Sequence, residues 1–250
     1  MTRILLSGCG RMGKLVADEA ANFENLKTVY GVDSFLPDGL PFPVVADFES
    51  VDVPFDVIVD YSNPANFDSL LHFALAQKKP LVLCTTGLNE EMRQKVFAAA
   101  KEIPIFYSAN MSLGIYVLTA VAKAASKMLG AGFDIEVQEA HHRNKVDAPS
   151  GTALQIAEAL LQERDDLNTI VTDRYSSRQK RGDDEIGVSS LRGGSIPGQH
   201  TVTFAGPDVV IELTHTAYSP RVFATGALRA AAFLKDQAPG IYDMSHLLGL

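Results

Sequence analysis

The stretch Gly8-Cys9-Gly10-Arg11-Met12-Gly13 constrains the fold of this 250-residue chain more than any other. It follows the apolar run Ile4-Leu5-Leu6, which reads as a buried strand. It opens KLVADEAANF, whose apolar residues recur at helical spacing. A second strand-like run, 27–32, ends at Asp33. Strand, G-x-G-x-x-G, helix, strand and an acidic residue about twenty positions on is the order of a dinucleotide-binding βαβ unit. Gly8 lets the chain turn, Gly10 lets the backbone reach a pyrophosphate, and Gly13 lets helix and strand pack. The helix N-terminus then presents unpaired N–H groups to phosphate. Asp33 is placed to accept hydrogen bonds from ribose hydroxyls. A ligand-free tight turn accounts for the glycines, but not for the strand and acid that follow at the required distance.

The alternation continues. Residues 56–60, 80–84 and 103–107 read as strands, with helices at 64–77, capped by Asn63, and at 89–101. This predicts a parallel sheet covered by helices. Ligands bind at the carboxyl ends of such strands. Thr85-Thr86-Gly87 and Ser108-Ala109-Asn110 follow two of these ends and are candidates to line a nicotinamide pocket. The rhythm changes after Asn110. A long apolar helix at 115–128 is followed by a strand at 134–140 and a helix at 150–163. After the polar stretch 165–184 come three strands in succession, 186–191, 200–205 and 209–215, and an Ala-rich helix at 222–235. Strands without intervening helices predict an antiparallel or mixed sheet, hence a second domain of α+β type.

Asp33 also bears on cofactor choice. A carboxylate there repels a 2′-phosphate, and Ser34 and Phe35 supply no cation to hold one. NADH is therefore favoured over NADPH. Net charge is -8, which argues against nucleic acid as a partner. Two cysteines, Cys9 and Cys84, suit a reducing cytoplasm and no disulfide framework. No segment reads as apolar for long enough to cross a membrane, so no membrane partner is expected.

Against that acidic background, residues 139–153 read EAHHRNKVDAPSGTA. Hydride transfer to carbon leaves a centre that needs a proton, so a general acid must stand near the acceptor. His141, His142 and Lys145 form such a cluster. Ser150, Gly151 and Thr152 sit where a helix begins, just after Pro149. Hydroxyls and free N–H groups at a helix N-terminus suit a carboxylate. Ser150 also reads as a helix cap, which is compatible with ligand binding. Paired histidines invite a metal, but no Cys or further His at ligand spacing supports one, and none is expected.

These residues resemble the 4-hydroxy-tetrahydrodipicolinate reductase family, the dihydrodipicolinate reductases of the lysine pathway. The resemblance is carried by EAHHRNKVDAPSGTA, GCGRMG, the TTG of Thr85–Gly87, the segment around Asn110 and Met111, the EIG, LRGG and G-H-T-V-F residues from Glu185 to Phe204, ELTH at Glu212–His215, and the C-terminal helix. It implies an α/β fold: a Rossmann-like dinucleotide-binding domain, 1–112 completed by 221–250, plus an α+β substrate and tetramerisation domain with a mixed sheet, 113–220. It implies NADH- or NADPH-dependent reduction of a small cyclic dicarboxylate, with loss of water, by a homotetramer. His141 and Lys145 would be the catalytic pair, with Lys145 favoured as proton donor, although the motif alone leaves that choice open. His142, Lys145, Ser150, Gly151 and Thr152 would hold substrate carboxylates. Gly8, Cys9, Gly10, Arg11, Met12, Gly13, Asp33, Thr85, Thr86, Gly87, Ser108, Ala109, Asn110 and Met111 would line the cofactor. With cofactor and substrate elements on different domains, domain closure is expected. Another dehydrogenase on this architecture would not need HHRNK beside SGT. A non-catalytic NAD(H) sensor would be expected to carry a recognition module, and the chain has no basic helix for one.

Overall fold

The computed structural model describes residues 1–108 and 110–249. Along the chain the elements are β1 (Thr2–Ser7), α1 (Arg11–Ala20), β2 (Leu26–Val32), β3 (Val44–Val45), β4 (Val57–Asp60), α2 (Phe67–Gln77) and β5 (Leu81–Leu83). Then come α3 (Glu90–Ala99), β6 (Pro104–Tyr107), α4 (Leu113–Leu129), β7 (Asp134–His141), α5 (Gly151–Leu161) and β8 (Thr169–Val171). The remainder is β9 (Glu185–Arg192), β10 (Gln199–Gly206), β11 (Val209–Thr216), α6 (Arg221–Leu234), β12 (Gly240–Tyr242) and α7 (Met244–Leu248). The chain divides into two units, Met1–Leu113 with Pro220–Leu250, and Gly114–Ser219.

In the first unit all seven strands are parallel, in the order β12-β6-β5-β4-β1-β2-β3. The chain runs outward from β1 through β2 and β3, then returns to the other side of β1 to lay down β4, β5 and β6. Strand order therefore reverses between β1 and β4, the switch point at which open α/β sheets bind ligands. β4 and β5 are buried along their whole length. That is why they read as unbroken apolar runs rather than alternating ones: helices cover both faces. Leu5, Ile58, Leu81 and Leu83 pack against Leu70, Leu71 and Ala74 of α2 and Val96 of α3. α1 and α6 pack together in the same unit, and α6 also lies against β4 and β5. The caps follow sequence chemistry: the Asn89 side chain accepts from Met92 N–H at 2.9 Å, and Asn63 accepts from Ala65 N–H at 2.9 Å. Residues 64–66 form a 3₁₀ turn before α2 rather than its first turn.

The second unit holds a five-stranded sheet in the order β11-β10-β7-β9-β8. It is mixed: β7 and β8 run parallel to β9, while β10 is antiparallel to β7 and β11. One face is covered. Ile115, Leu118 and Ala122 of α4 and Ile156, Ala157 and Leu160 of α5 pack on Ile135, Val137, Ile186, Val188, Val202 and Phe204. On β7 the inward parity is Ile135, Val137 and then Glu139, and on β10 it is Phe204, Val202 and then His200. A carboxylate and an imidazole thus take the last inward positions of an otherwise apolar face, beside the start of α5.

The structure adds short elements and corrects one expectation. β3, β8, β12 and α7 were not predicted; the three strands have two or three residues each, too few to display a period. Within the polar stretch 165–184, Thr169–Val171 pairs in parallel with β9. One stretch, Leu113–Gly132, does meet the length and mean hydropathy of a membrane-crossing helix. Its buried side chains include Ile115, Leu118 and Ala122 in the second unit's core, while Val117 and Val121 are exposed.

Candidate functional site

The first unit builds its site at the carboxyl ends of β1, β2, β4, β5 and β6. Gly8 has φ +83°, and a Cβ there would lie 2.5 Å from the Tyr61 carbonyl carbon. A Cβ on Gly13 would lie 2.2 Å from the Gly8 oxygen. Both glycines are therefore demanded by contact with backbone. Gly10 differs: a Cβ there would meet nothing within 4 Å, so the loop faces open space at the position where backbone must approach a phosphate. Gly10 is the N-cap residue of α1, and no side chain caps that end. The loop is a cradle that fits a pyrophosphate. Asp33 is half-buried, and its two oxygens accept from Cys9 N–H at 2.7 Å and Phe35 N–H at 2.9 Å. It therefore ties the end of β2 to the glycine loop while each oxygen retains a further acceptor site. The Cys9 thiol is buried and is pushed up to about 12 by that burial and by Asp33.

Beside Asp33 lies a cavity of about 410 Å³ whose lining includes Asp33, Asp47, Glu49 and His72. Among the described residues that line it there is no Lys or Arg. A second cavity, about 390 Å³, brings together Met12, Thr85, Thr86, Ser108, Asn110 and Met111. These were predicted from three separate strand ends, and one hollow collects them. Ala109 lies outside the described residues. Gly87 has φ +80° and closes the turn after Thr86, and Arg11 is exposed at the start of α1. Neither lines the two cavities.

Sequence reasoning missed the residue that organises this region. Asp60, the last residue of β4, is fully buried. Its carboxylate accepts from Ser7 Oγ at 2.7 Å, from Ser62 N–H at 3.2 Å and from Thr85 Oγ1. Burial pushes the Asp60 carboxyl up, and these donors pull against it. Ser7 lines the first cavity, and Ser62 and Thr85 line the second, so one carboxylate holds the walls of both. Tyr61 and Phe223 of the second cavity were missed too; the Tyr61 hydroxyl donates to the Phe223 carbonyl at 2.8 Å. A charged residue ending the apolar run VIV was the available signal for Asp60.

The second unit's site forms where β7 runs into α5. His141 ends β7, residues 142–145 form a tight turn closed by Lys145 N–H to the His142 carbonyl at 3.1 Å, and Ser150 caps α5. Ser150 is buried, its hydroxyl accepting from Ala153 N–H at 3.2 Å and lying 3.2 Å from His200 Nε2. His142, Lys145 and Thr152 are half-buried, while Arg143 and Gly151 are exposed.

Glu139 links these parts. Its carboxylate receives both terminal nitrogens of Arg192, Nη1 at 2.7 Å and Nη2 at 2.6 Å, His141 Nδ1 at 2.6 Å and Ser150 N–H at 3.0 Å. Burial opposes its charge, but the donors from Arg192, His141, Ser190 and Ser150 outweigh it and hold the carboxyl at about 2. Arg192 also donates to the Asp147 carbonyl at 2.5 Å, drawing the motif loop back onto the sheet. His200 packs edge-on against His141, with ring centroids 5.3 Å apart. Burial, and then the neighbouring His141, bring His200 down to about 4, so it is neutral at ordinary pH. Glu139, Arg192 and His200 were not singled out from sequence. The parity of β7 could have exposed Glu139, but its partners come from β9 and β10.

Lys145 Nζ lies 2.8 Å from Asp147 Oδ1. The Lys145 ammonium holds the Asp147 carboxyl below the ordinary range, against partial burial, and the Gly151 N–H adds to the effect. An ammonium and a helix N-terminus thus converge on a carboxylate.

Comparison with known proteins places this arrangement in context. The chain matches the family model of the dihydrodipicolinate reductase N-terminus over residues 2–111 and that of its C-terminus over residues 114–248. It is 47% identical over 250 residues to the 4-hydroxy-tetrahydrodipicolinate reductase of Caldanaerobacter subterraneus subsp. tengcongensis, covering 99% of this chain and 98% of the relative. Identity to the enzyme of the same name from Clostridium novyi is 42% over 251 residues, covering 99% and 98%. Among solved structures, a dipicolinate-bound dihydrodipicolinate reductase from Paenisporosarcina sp. TG-14 shares the fold, with a TM-score of 0.80 at 23% identity over 97% of each chain. The DAP dehydrogenase of C. glutamicum shares it at 0.60, with 17% identity over 99% of this chain and 95% of the other.

Proposed function

This chain belongs to the dihydrodipicolinate reductase family, and from that premise we propose how its own residues carry the family reaction. That reaction reduces 4-hydroxy-tetrahydrodipicolinate to tetrahydrodipicolinate with loss of water, in lysine and diaminopimelate biosynthesis. The enzyme is an oxidoreductase that uses a nicotinamide cofactor on a dicarboxylate substrate.

His141 and Lys145 form the catalytic pair. His142, Lys145, Ser150, Gly151 and Thr152 receive the substrate, with Ser150 acting by capping α5 so that the next N–H groups are presented to a carboxylate. The observation that carries this reading is the Asp147 carboxylate, paired with Lys145 Nζ at 2.8 Å and lowered, more weakly, by the N-terminus of α5. A substrate carboxylate has the same charge and the same acceptor geometry, and takes the same donors. The Paenisporosarcina protein binds dipicolinate, itself a dicarboxylate, which agrees with such a site.

Gly8, Cys9, Gly10, Arg11, Met12, Gly13, Asp33, Thr85, Thr86, Gly87, Ser108, Ala109, Asn110 and Met111 hold the cofactor. When bound, the reduced nicotinamide supplies the hydride. The chain's part is to seat the pyrophosphate on the open Gly10 backbone, hold the ribose at Asp33 and wall the nicotinamide pocket with Thr85 and Met111. NADH is the preferred donor. Asp33, Asp47 and Glu49 make the adjoining cavity acidic, and a 2′-phosphate would enter it without a counter-charge. In initial-rate measurements at the nicotinamide absorbance band, with enzymatically generated substrate, kcat/KM for NADH is expected to exceed that for NADPH about tenfold or more, equivalent to roughly 1.4 kcal/mol. A preference for NADPH of that size would overturn the assignment.

The enzyme works as a homotetramer in the cytoplasm. The tetramer is supported by the outer surface of the mixed sheet, where Leu191 and Val210 are exposed, and by the uncovered edge strand β11. The cytoplasm is supported by two free, buried cysteines.

A further inference from the structure

We infer that Glu139 is a positioning residue that fixes the direction of proton exchange by His141, leaving Nε2 as the only nitrogen that gains and loses the proton. The inference rests on the assignment of His141 to the catalytic pair.

A histidine that transfers a proton has two ring nitrogens, and the hydrogen bond made by one selects the other for chemistry. Here Nδ1 lies 2.6 Å from Glu139 Oε2. The Glu139 side chain is fully buried, while that of His141 is 12% exposed. An ionised carboxylate only accepts hydrogen bonds. With its carboxyl held at about 2, Glu139 is ionised throughout the working range and obliges Nδ1 to carry its proton whether the ring is neutral or charged.

Glu139 cannot turn away. Two nitrogens of Arg192 grip its two oxygens, and Ser150 N–H holds Oε1. The backbone of His141 is pinned as well. Its carbonyl accepts from Gly193 N–H at 3.0 Å, and it stands in register with Arg192 on β9. His200 closes one flank of the ring. On the Nε2 side the neighbour is Gly198, where a Cβ would sit 3.3 Å from Nε2 and 3.5 Å from Cδ2. The absence of a side chain at Gly198 leaves that nitrogen its room. Nδ1 is thus blocked by a charged partner, and Nε2 is flanked by a residue with nothing to obstruct it.

The same carboxylate holds Ser150 N–H, the N-cap residue of α5. Glu139 therefore sets both the imidazole and the start of the helix that receives the substrate carboxylate, so acid and anchor share one reference point.

The test combines a wild-type measurement with a mutant cycle. In the ¹⁵N spectrum of uniformly histidine-labelled enzyme, neutral His141 is expected to be the Nδ1–H tautomer. The Nε2–H tautomer would overturn the inference, and this measurement stands even if a variant fails to fold. Glu139→Gln is expected to lower kcat about tenfold or more, part of the roughly 10²–10⁴-fold that proton transfer contributes. KM for NADH is expected to stay within about twofold. In a His141→Asn background, Glu139→Gln is expected to add no further loss of kcat, because the glutamine oxygen still accepts from Ser150 N–H and the charge acts on turnover through the imidazole. Losses that multiply would mark Glu139 as merely structural and sink the inference. Wild-type turnover in His141→Asn alone would instead refute the assignment of His141, and with it the premise.

Discussion

Replacing Arg192 with Met is expected to cost about 3–5 kcal/mol of unfolding free energy at neutral pH, the usual result of stripping a buried charge of its partner. The Glu139 side chain is fully buried and that of Arg192 is 18% exposed, so water does not repair the loss. Methionine fills similar volume without charge, so packing is kept while the bonds to Glu139 and to the Asp147 carbonyl are lost. The carboxyl's own depression gives a consistent magnitude. It falls from an ordinary 4.5 to about 2 in the fold, and each unit is worth roughly 1.4 kcal/mol, so the ionised group contributes on the order of 3 kcal/mol. The sign follows from linkage. A carboxyl depressed in the folded state stabilises fully above its unfolded value, near 4.5, and loses that contribution as pH falls through about 2. Urea titrations from pH 7 down to pH 2 should therefore show the wild-type advantage over the variant shrinking across that window. Equal stability of the two proteins at pH 7 would refute the claim that Arg192 compensates Glu139.

Lys145→Ala is expected to lower turnover about a hundredfold or more, the scale of lost acid–base or charge assistance, with NADH affinity nearly unchanged. The separation follows from placement. Lys145 belongs to the unit Gly114–Ser219, whereas the glycine loop and Asp33 belong to Met1–Leu113 with Pro220–Leu250. It pairs with Asp147, more than half exposed, so its removal should perturb stability by no more than about 1 kcal/mol. Steady-state rates and NADH fluorescence titration of the same preparation read the two properties separately. Near-normal turnover would remove Lys145 from the catalytic pair, and lost NADH binding would place it in the cofactor site instead.

The two sites differ in how far sequence reveals them. The glycine loop was legible because its constraints are local. Gly13 contacts the backbone of Gly8, and the helix they open starts three residues after Gly8; the contact of Gly8 with Tyr61 is the long-range exception. Cap residues were legible for the same reason: Asn63 and Ser150 bond to N–H groups two or three positions on. The motif residues His141, Lys145 and Ser150 stood out by residue type alone. Their supports did not. Asp60 looked like the end of a strand, and Glu139 like one polar residue in a basic stretch.

The order of apolar runs, glycines and caps in the chain determined the parallel βαβ architecture and marked the two segments that build the candidate sites, because these depend on periods of two and 3.6 residues and on contacts a few positions apart. Only the tertiary structure decided what fixes the chemistry at those places. Arg192 reaches Glu139 across 53 positions, and Ser7 and Thr85 reach Asp60 across 53 and 25. Such pairings arise from strand register, and a buried carboxylate survives only where register delivers its donors.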